Sequence, residues 1–309
     1  MKIMSPPHLL SLCALLSLFA PGARGALGAR QPAAEAARAE LLRRLNEERR
    51  AAGAPPLVLQ PQLTAAAQEH AEELSRRGDI SNRRGASEEM DERLHRLGYR
   101  AAEWGEGVYA TTEDIGAVVS GLRERDGDTW RRLMDPGYRD VGIGVSELRD
   151  MALYTVLVAL PEAELFARRT AGLRDLSRVR AEMLEAVAEV RRKAGLQPLT
   201  PDPRLDRAAQ GHAEDMLARS YFAHQSPEGK TVRQRATEAG YPWRMIGENI
   251  AEGQYTVAEV MDSWMKSRPH RANLLERGFT QLGTGLAFGR DPKTGDYRTV
   301  WVQVFGTPK

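Results

Sequence analysis

The chain has 309 residues, enough for two domains of ordinary size. Hydrophobic residues make up 42% and charged residues 28%, which predicts a globular protein and excludes the disordered and fibrous classes. The 44 basic residues nearly balance the 42 acidic ones, and a formal charge of +2 argues against a nucleic-acid partner, which usually requires a basic stripe. Arginine-rich clusters such as RRLNEERR (43–50) are interleaved with glutamate and are interpreted as solvated helix faces.

The N-terminus has the pattern of a secretory signal. Lys2 provides the positive charge, residues 9–20 form an apolar core, and the small residues that follow predict cleavage after Gly25. The apolar core is too short to span a membrane, and no later segment is long and apolar enough. Cys13, the only cysteine, follows Leu12 where a lipoprotein signal would have a small residue, which argues against a lipid anchor. We therefore expect a secreted protein, extracellular or periplasmic, without cysteine once the signal (1–25) is removed.

Two stretches of the chain repeat each other at a fixed separation. The sequence QEHAEELSRRG at Gln68 matches QGHAEDMLARS at Gln210, a shift of 142 residues. Over positions 45–107, 21 of 63 aligned residues are identical without a gap, and one deletion then aligns GYRDVGIGVS with GFTQLGTGLA. The chain is therefore predicted to contain a duplicated domain. We place the copies at 36–160 and 175–309, with a linker at 161–174.

Each copy has the same predicted order of elements. A first amphipathic helix (36–52 and 175–194) ends at a glycine, and a second helix begins at a proline, which suits the first helical turn. The third and shorter helix ends near Gly98 or Gly240. The fourth begins around Thr256, where TVAE fits a capping box.

Two strands are predicted to close each copy. They are VGIGVSE and ALYTVLVAL in the first copy, and LGTGLAFG and YRTVWVQVFG, joined by a hairpin, in the second. In the last strand Val300, Val302 and Val304 alternate with Trp301, Gln303 and Phe305. Helices around a short antiparallel sheet predict the α+β class, arranged as an α/β/α sandwich in two tandem copies.

A comparison of the two copies selects candidate functional residues. The second copy has His224, Glu248 and His270, and the same shift places Asn82, Glu106 and Asp128 in the first. In contrast, His70 and His212 occur in both copies, in the middle of a helix. Residues needed for folding should persist in both copies, so His212 is interpreted as structural and the two histidines lost from the first copy as site residues.

Each candidate also has a purely structural interpretation. His270 follows a proline where a helix begins, and it could only fill that turn; His224 could be an exposed loop imidazole. Glu248, between Gly247 and Asn249, is read as part of a tight turn, where it could accept backbone hydrogen bonds. Local hydrogen bonding is the expected role of two further side chains, Arg271 and Asn273. Three large aromatic residues are expected in the core: Trp264, Trp301 and Phe305.

Two imidazoles and a carboxylate could hold Zn²⁺ or another divalent cation, with an open position for water. Without a metal, the same residues could act as a general base pair or as the polar floor of a pocket. In the first copy Asn82, Glu106 and Asp128 form an all-oxygen set, of the kind that binds Ca²⁺ or Mg²⁺. Loss of function with retention as a packing partner is the competing hypothesis for that copy.

The second copy, from about Met183 to Gly306, resembles the CAP superfamily of cysteine-rich secretory, antigen 5 and pathogenesis-related 1 proteins, in its bacterial cysteine-free branch. The motifs that carry the resemblance are HAEDM, YFAHQSPEG, GENIAEG, VMDSWMKSRPHRANLL, FTQLGTGLAFG and WVQVFG. The first copy resembles a degenerate version of the same domain. The resemblance implies an α/β/α sandwich whose cleft, in many members, holds two histidines and two acidic residues, sometimes with a divalent metal.

Carried over to this sequence, the resemblance assigns the cleft to His224, Glu248 and His270, with Ser267, Arg271 and Asn273 lining it. The fourth position departs from the pattern, because Met265, Lys266 and Ser267 follow Trp264 where an acid is expected. Glu259 or Asp262 could substitute for it.

The superfamily has no common enzymatic activity; its members are described as binding sterols or lipids, as signalling, or in isolated cases as cleaving peptides. We therefore expect a secreted binding or interaction module, not an enzyme, for an extracellular or envelope protein, lipid or glycan. One alternative is a metal-dependent hydrolase of peptides or cell-envelope polymers. Another is a lipid- or sterol-binding protein that uses GYPWRMIGENI (240–250) as an apolar groove.

Overall fold

The computed structural model describes residues 31–80 and 86–309. The chain divides into two compact units, the first ending at Leu165 and the second beginning at Phe166. The signal predicted at 1–25 and the candidate Asn82 lie outside the described residues. No helix in the described ranges has the length and apolarity needed to cross a bilayer.

The first unit contains the helices α1 to α5 and the strands β1 to β4. Their bounds in chain order are α1 Gln31–Ala51, β1 Val58–Leu59, α2 Pro61–Arg77, α3 Ala86–Arg96, β2 Ala101–Thr111, α4 Ile115–Arg125, α5 Gly127–Met134, β3 Asp140–Leu148 and β4 Met151–Pro161. Helix α6 (Glu162–Arg169) and a short 3-10 turn (Ala171–Leu173) occupy the segment predicted as a linker.

The second unit repeats this order. Its elements are α7 Leu176–Lys193, β5 Thr200–Pro201, α8 Pro203–Ala218, α9 Val232–Glu238, β6 Trp243–Glu252, α10 Val257–Lys266, α11 Arg268–Leu274, β7 Gln281–Arg290 and β8 Tyr297–Pro308. The helices therefore follow the predicted order, and the proline at the start of α2 and α8 stands in the first turn, where its missing N–H costs no hydrogen bond.

Each unit has one four-stranded sheet, in the order β1-β3-β4-β2 or β5-β7-β8-β6. The short first strand is parallel to its neighbour, and the other pairings are antiparallel. The sequence predicted the hairpin β7–β8 and its counterpart β3–β4 but not the long edge strands β2 and β6. Glu248 accordingly lies within β6, opposite Val304 of β8, so its placement in a tight turn was wrong.

The core of the second unit has two layers, one on each face of the sheet. Along β8 the three valines pack with α8 and α9, whereas Trp301 and Phe305 pack with α7, α10 and α11. Trp264 joins the second of these layers, and all three aromatic residues are almost fully buried, as predicted. The period-2 alternation of the strand thus produces the α/β/α sandwich.

The Gly-x-Gly of β7 allows α8 to lie directly on the sheet. A Cβ added at Gly283 would lie 2.1 Å from the backbone carbon of Leu205, and one at Gly285 would lie 2.3 Å from that of Ala209. The glycine pair of β3 has the same relation to α2. Any side chain at these positions would push the helix away from the strand, so the motif has a packing role.

A buried arginine fastens the first helix of each unit to the segment before the β3 or β7 strand. Arg191 is 1% exposed and donates to the carbonyl oxygens of Gln197 (2.8 Å), Leu274 (2.9 Å), Glu276 (2.9 Å) and Phe279 (3.4 Å). Arg49 makes the corresponding bonds to Pro55, Leu133, Asp135 and Tyr138. Arg49 belongs to the RRLNEERR cluster, so its interpretation as part of a solvated face was wrong.

Candidate functional site

Glu248 is the buried centre of the candidate site. It lies on the edge strand β6, and its side chain is only 2% exposed. Its Oε1 lies 2.9 Å from Nδ1 of His224, and its Oε2 accepts from Nη2 of Arg235 at 2.5 Å. Arg235, on α9, is itself buried with 8% of its side chain exposed. Both carboxylate oxygens are therefore engaged by partners from the neighbouring loop and helix.

The ion pair fixes the orientation of the His224 ring. An ionised carboxylate can only accept hydrogen bonds, so Nδ1 of His224 donates and Nε2 remains the free ring nitrogen. The side chain of His224 is 56% exposed, so a ligand can reach the imidazole ring. Glu248 thus acts as a positioning residue for His224.

His270 reaches the site from the opposite layer of the sandwich. It lies in α11, two residues after the helix start and one after Pro269, and its ring is half-buried. Its backbone carbonyl accepts from Nδ2 of Asn249 at 3.1 Å. Burial lowers the pKa of His270, and the nearby positive charge of His224 lowers it further, so a neutral imidazole is favoured. The two imidazoles are thus close enough to influence each other at the same edge of the sheet.

Asn273 ties α11 to β6. Its Nδ2 donates to the carbonyl oxygen of Glu248 at 3.0 Å and to Oδ1 of Asn249 at 2.8 Å. Local hydrogen bonding was predicted for Asn273, but these bonds join residues 24 and 25 positions apart, so its role is tertiary. Arg271 is exposed, and Ser267 stands at the N-cap of α11 without a side-chain capping bond.

Neither substitute for the missing fourth acid is at the site. The N–H of Glu259 is capped by Thr256 at 3.1 Å, and its carboxylate accepts from the N–H of Tyr255 at 2.7 Å. Thr256 therefore caps the N–H of Glu259, as the predicted capping box requires. The carboxylate of Glu259 bonds the N–H of Tyr255 and not that of Thr256. Asp262 is exposed and pairs with Lys266 at 2.6 Å.

The donor set does not fit a three-ligand metal centre in this arrangement. Among residues 31–80 and 86–309, no group of three or more His, Cys, Asp or Glu side chains is placed to hold a metal ion. The physical reason is that Arg235 and His224 occupy the oxygens of Glu248, which would otherwise be ligands. What remains is two imidazoles, one of them oriented by a carboxylate, as is usual for metal-binding histidines.

The first unit rebuilds this site with a different histidine. Nδ1 of His70, on α2, lies 2.8 Å from Oε1 of Glu106, and the carboxylate is 2% exposed. His212, the counterpart of His70 on α8, instead lies with Nε2 2.9 Å from the carbonyl oxygen of Ala223. Asp128 pairs with Arg131 at 2.5 Å, so two of the three predicted oxygen ligands, Glu106 and Asp128, have other partners within the described residues.

Two functional partners were missed by the sequence analysis. Arg235 is the counterpart of Arg93 at the shift of 142. The presence of arginine at this position in both copies was a signal that could have indicated a buried role. His70 was not selected as a site residue, yet it pairs with Glu106 as His224 pairs with Glu248 in the second unit. The interpretation of His212 agrees with its burial and its backbone hydrogen bond.

The segment 240–250 is not an exposed apolar groove. Tyr241 is 1% exposed, and residues from Trp243 onward form the edge strand β6. Nε1 of Trp243 donates to Oγ1 of Thr237 at 3.0 Å, and the guanidinium carbon of Arg233 lies 5.5 Å from the centre of the indole ring. The large hydrophobic residues exposed in the described ranges are Val58 and Phe222, which belong to different units.

Comparison with known proteins identifies one family. The model of the family described as "CAP: Cysteine-rich secretory protein family" matches residues 42–158 and 184–305. The chain is 33% identical over 143 residues to the uncharacterized protein YkwD of Bacillus subtilis, covering 46% of this chain and 52% of that protein. It is 32% identical over 105 residues to the uncharacterized membrane protein YlbC of the same organism, covering 34% and 30%. The chain thus spans about half or less of these relatives.

Solved structures show similarity at low sequence identity. An extracellular protein containing an SCP domain from Bacillus anthracis is 23% identical, with a TM-score of 0.40, covering 54% of this chain and 60% of that chain. An outer surface protein from Borrelia burgdorferi is 22% identical, with a TM-score of 0.37, covering 42% and 92%.

Proposed function

This chain belongs to the cysteine-rich secretory protein (CAP) family, and we propose that it is a non-enzymatic binding module whose second unit recognises an extracellular or cell-envelope ligand. The binding surface is the edge of β6, where His224 and His270 present their imidazoles. The first unit, which lacks both histidines, serves as a packing or recognition partner.

The state of Glu248 carries this proposal. A general base needs an accessible lone pair within hydrogen-bond reach of the substrate. Here Arg235 and His224 engage both oxygens, and the carboxylate is 2% exposed. The glutamate therefore supports the orientation of His224, and the exposed ring supplies recognition through one hydrogen-bonding nitrogen.

The proposal predicts that binding depends on the two imidazoles. Co-sedimentation of the purified protein with isolated cell envelope should show saturable binding, weakened at least about tenfold, or about 1.4 kcal/mol, in the His224→Ala and His270→Ala variants. His95→Ala is the matched control, because His95 is an exposed histidine of the first unit. Equal binding by all four proteins would contradict the proposal, as would turnover of a defined peptide or envelope polymer that is lost in His270→Ala.

The orientation of His224 favours one second candidate, a metal-dependent hydrolase. Its Nε2 and the imidazole of His270 are two of the three protein ligands that a catalytic zinc needs, and such an ion would supply an activated water for the hydrolysis of peptides or envelope polymers. Calorimetric titration of zinc into the parent, His224→Ala and His270→Ala proteins decides between the candidates. Strong binding lost in both variants would favour the hydrolase, whereas absence of binding at millimolar zinc would leave the binding module.

A further inference from the structure

A pocket lies in the second unit, between α8, α9 and the loop that joins them. It has a volume of about 460 Å³. This volume is in the range of small-molecule sites. Its lining includes Gly211, His212, Asp215, Arg219, Lys230 and Arg235, but not His224, Glu248 or His270. The two sites adjoin, because Arg235 lines this pocket and also bonds Glu248.

Gly211 borders this pocket. It lies in the interior of α8, where glycine weakens a helix, and a Cβ added there would have no neighbour within 4 Å among the described residues. Neither a left-handed backbone nor a close approach explains this glycine. The space next to Gly211 is open, and the pocket borders it.

The first unit shows how the same position can be filled. There Glu69 replaces Gly211, and Glu73 replaces Asp215. Arg93, the counterpart of Arg235, lies 3.5 Å from Oε2 of Glu69 and 2.9 Å from Oε2 of Glu73. The arginine of the first unit is thus held by carboxylates of α2. In the second unit the arginine turns to Glu248 instead, and glycine leaves open the space that Glu69 fills.

Arg235 has one buried donor that finds no acceptor in the described part of the chain. Its Nη1 donates to the carbonyl oxygen of Lys230 at 2.9 Å, and its Nη2 bonds Glu248 and the carbonyl oxygen of His224. Its Nε is buried and has no hydrogen-bond partner among the described residues. A buried N–H without a partner is costly, so a shift of the Arg235 side chain that brings this donor to an acceptor in the pocket would be favourable.

The charges of the lining define that ligand further. Four basic residues (Arg207, Arg219, Lys230 and Arg235) and three acidic ones (Asp215, Glu228 and Glu238) surround the pocket. The pairs Arg219–Glu228 and Lys230–Glu238 are largely exposed, so they can exchange partners at little cost. A ligand of one charge would be repelled by one half of this lining. A ligand with both charges finds a partner for each.

We propose that this pocket binds a small zwitterion, an amino acid or short peptide with a free carboxylate and a free ammonium group. The carboxylate pairs with the guanidinium of Arg235, and the ammonium group pairs with the acidic residues of the lining. Arg235 contributes to both sites, but this inference does not rest on the ligand proposed for the β6 edge.

The test is calorimetric titration of the full chain with the dipeptide alanyl-alanine. We expect one equivalent to bind, and binding at least about tenfold weaker, or about 1.4 kcal/mol, for the C-terminally amidated dipeptide and for the N-acetylated dipeptide. Equal binding of the amidated dipeptide would overturn the assignment of the carboxylate to Arg235. No binding of the parent dipeptide at millimolar concentration would overturn the proposal.

Variants at Gly211 locate the site. Gly211→Glu copies the first unit and should abolish binding, whereas Gly211→Ala should retain it and raise the melting temperature. A Gly211→Glu protein that melts like the parent and binds the dipeptide equally well would place the ligand elsewhere and reject the pocket. His95→Ala, at an exposed histidine of the first unit, should leave dipeptide binding unchanged.

Discussion

Glu248 and Glu106 are the same residue in two copies, but they have different partners. Glu248 is paired with Arg235, whose charge persists at every accessible pH, and with His224. Glu106 is paired with His70, which can release its proton. A buried charge that loses its partner is destabilising unless it can be neutralised, so the two glutamates should differ in their contribution to stability.

Replacement of the two glutamates tests this difference. Glu248→Gln should lower the free energy of unfolding by about 3 kcal/mol, because it leaves the buried guanidinium of Arg235 without an anion. Glu106→Gln should cost only about 1 kcal/mol, because His70 becomes neutral and keeps a hydrogen bond. Urea denaturation of both variants at neutral pH measures the difference. Equal losses would show that Arg235 is not the partner that matters.

The buried arginine Arg191 holds secondary-structure elements together, and we call its set of backbone hydrogen bonds the arginine staple. Arg191 bonds the loop after α7, the last residue of α11 and the segment before β7, through carbonyl oxygens alone. A lysine has one donor centre at the end of a flexible chain, so it cannot reproduce the planar fork of the guanidinium. The staple therefore depends on arginine and not only on its charge.

Arg191→Lys should lower the free energy of unfolding by about 3 kcal/mol, because it leaves buried carbonyl oxygens without a donor. The neighbouring Arg192→Lys is the control; Arg192 is exposed, and a change of about 0.5 kcal/mol or less is expected. Chemical denaturation monitored by circular dichroism measures both. A small loss in Arg191→Lys would refute the structural role of the fork.

The edge strand β6 shows where prediction of an element failed. The sequence GEN has residues that favour turns, and it was read as a turn. In the structure Gly247, Glu248 and Asn249 continue a strand from Trp243 to Glu252, because each pairs with a residue of β8. The stretch has no clean alternation, since Glu248 and Asn249 contact polar partners in opposite helical layers.

At the scale of the whole molecule, the duplicated helix histidines have opposite electrostatic environments. Burial lowers the pKa of His70, but the charge of Glu106 and its hydrogen bond outweigh burial, and the net pKa lies above 6.5. Burial lowers the pKa of His212 below 6.5, since its direct partner is a backbone carbonyl. The two units should therefore respond to pH in opposite directions.

The sign follows from proton binding in the folded and unfolded states. For His70, the folded state binds the proton more tightly, so its stabilisation is complete below about pH 6.5 and is lost as the pH rises through the raised pKa. For His212, the folded state excludes the proton, so stability is lost as the pH falls from about 6.5 through the lowered pKa. The comparison of His70→Gln and His212→Gln by calorimetry between about pH 5 and 8 tests this. The His70→Gln variant should lose less stability than the parent as the pH rises, and the His212→Gln variant should lose less as the pH falls. Parallel shifts in both variants would contradict the assignment.

The sequence by itself determined the duplication, the order of the main helices, the hairpin and the alternation of β8. These features depend on periodicity and on residues close along the chain, where burial and turn chemistry are visible in a single segment. The CAP family could also be identified from the motifs of the second copy, and the family comparison confirms it.

The tertiary structure alone decided which groups meet. Glu248 finds His224 at 24 positions and Arg235 at 13 positions along the chain, and Arg191 reaches carbonyl oxygens up to 88 positions away. Each glutamate could pair with several arginines or histidines. Their spacing along the sequence does not predict which of them forms the contact. Only the pairing of β6 with β8 and the packing of α9 on the sheet put one arginine within 2.5 Å of the buried carboxylate. That contact, and not the residue types, distinguishes a carboxylate that positions a histidine from one that could hold a metal.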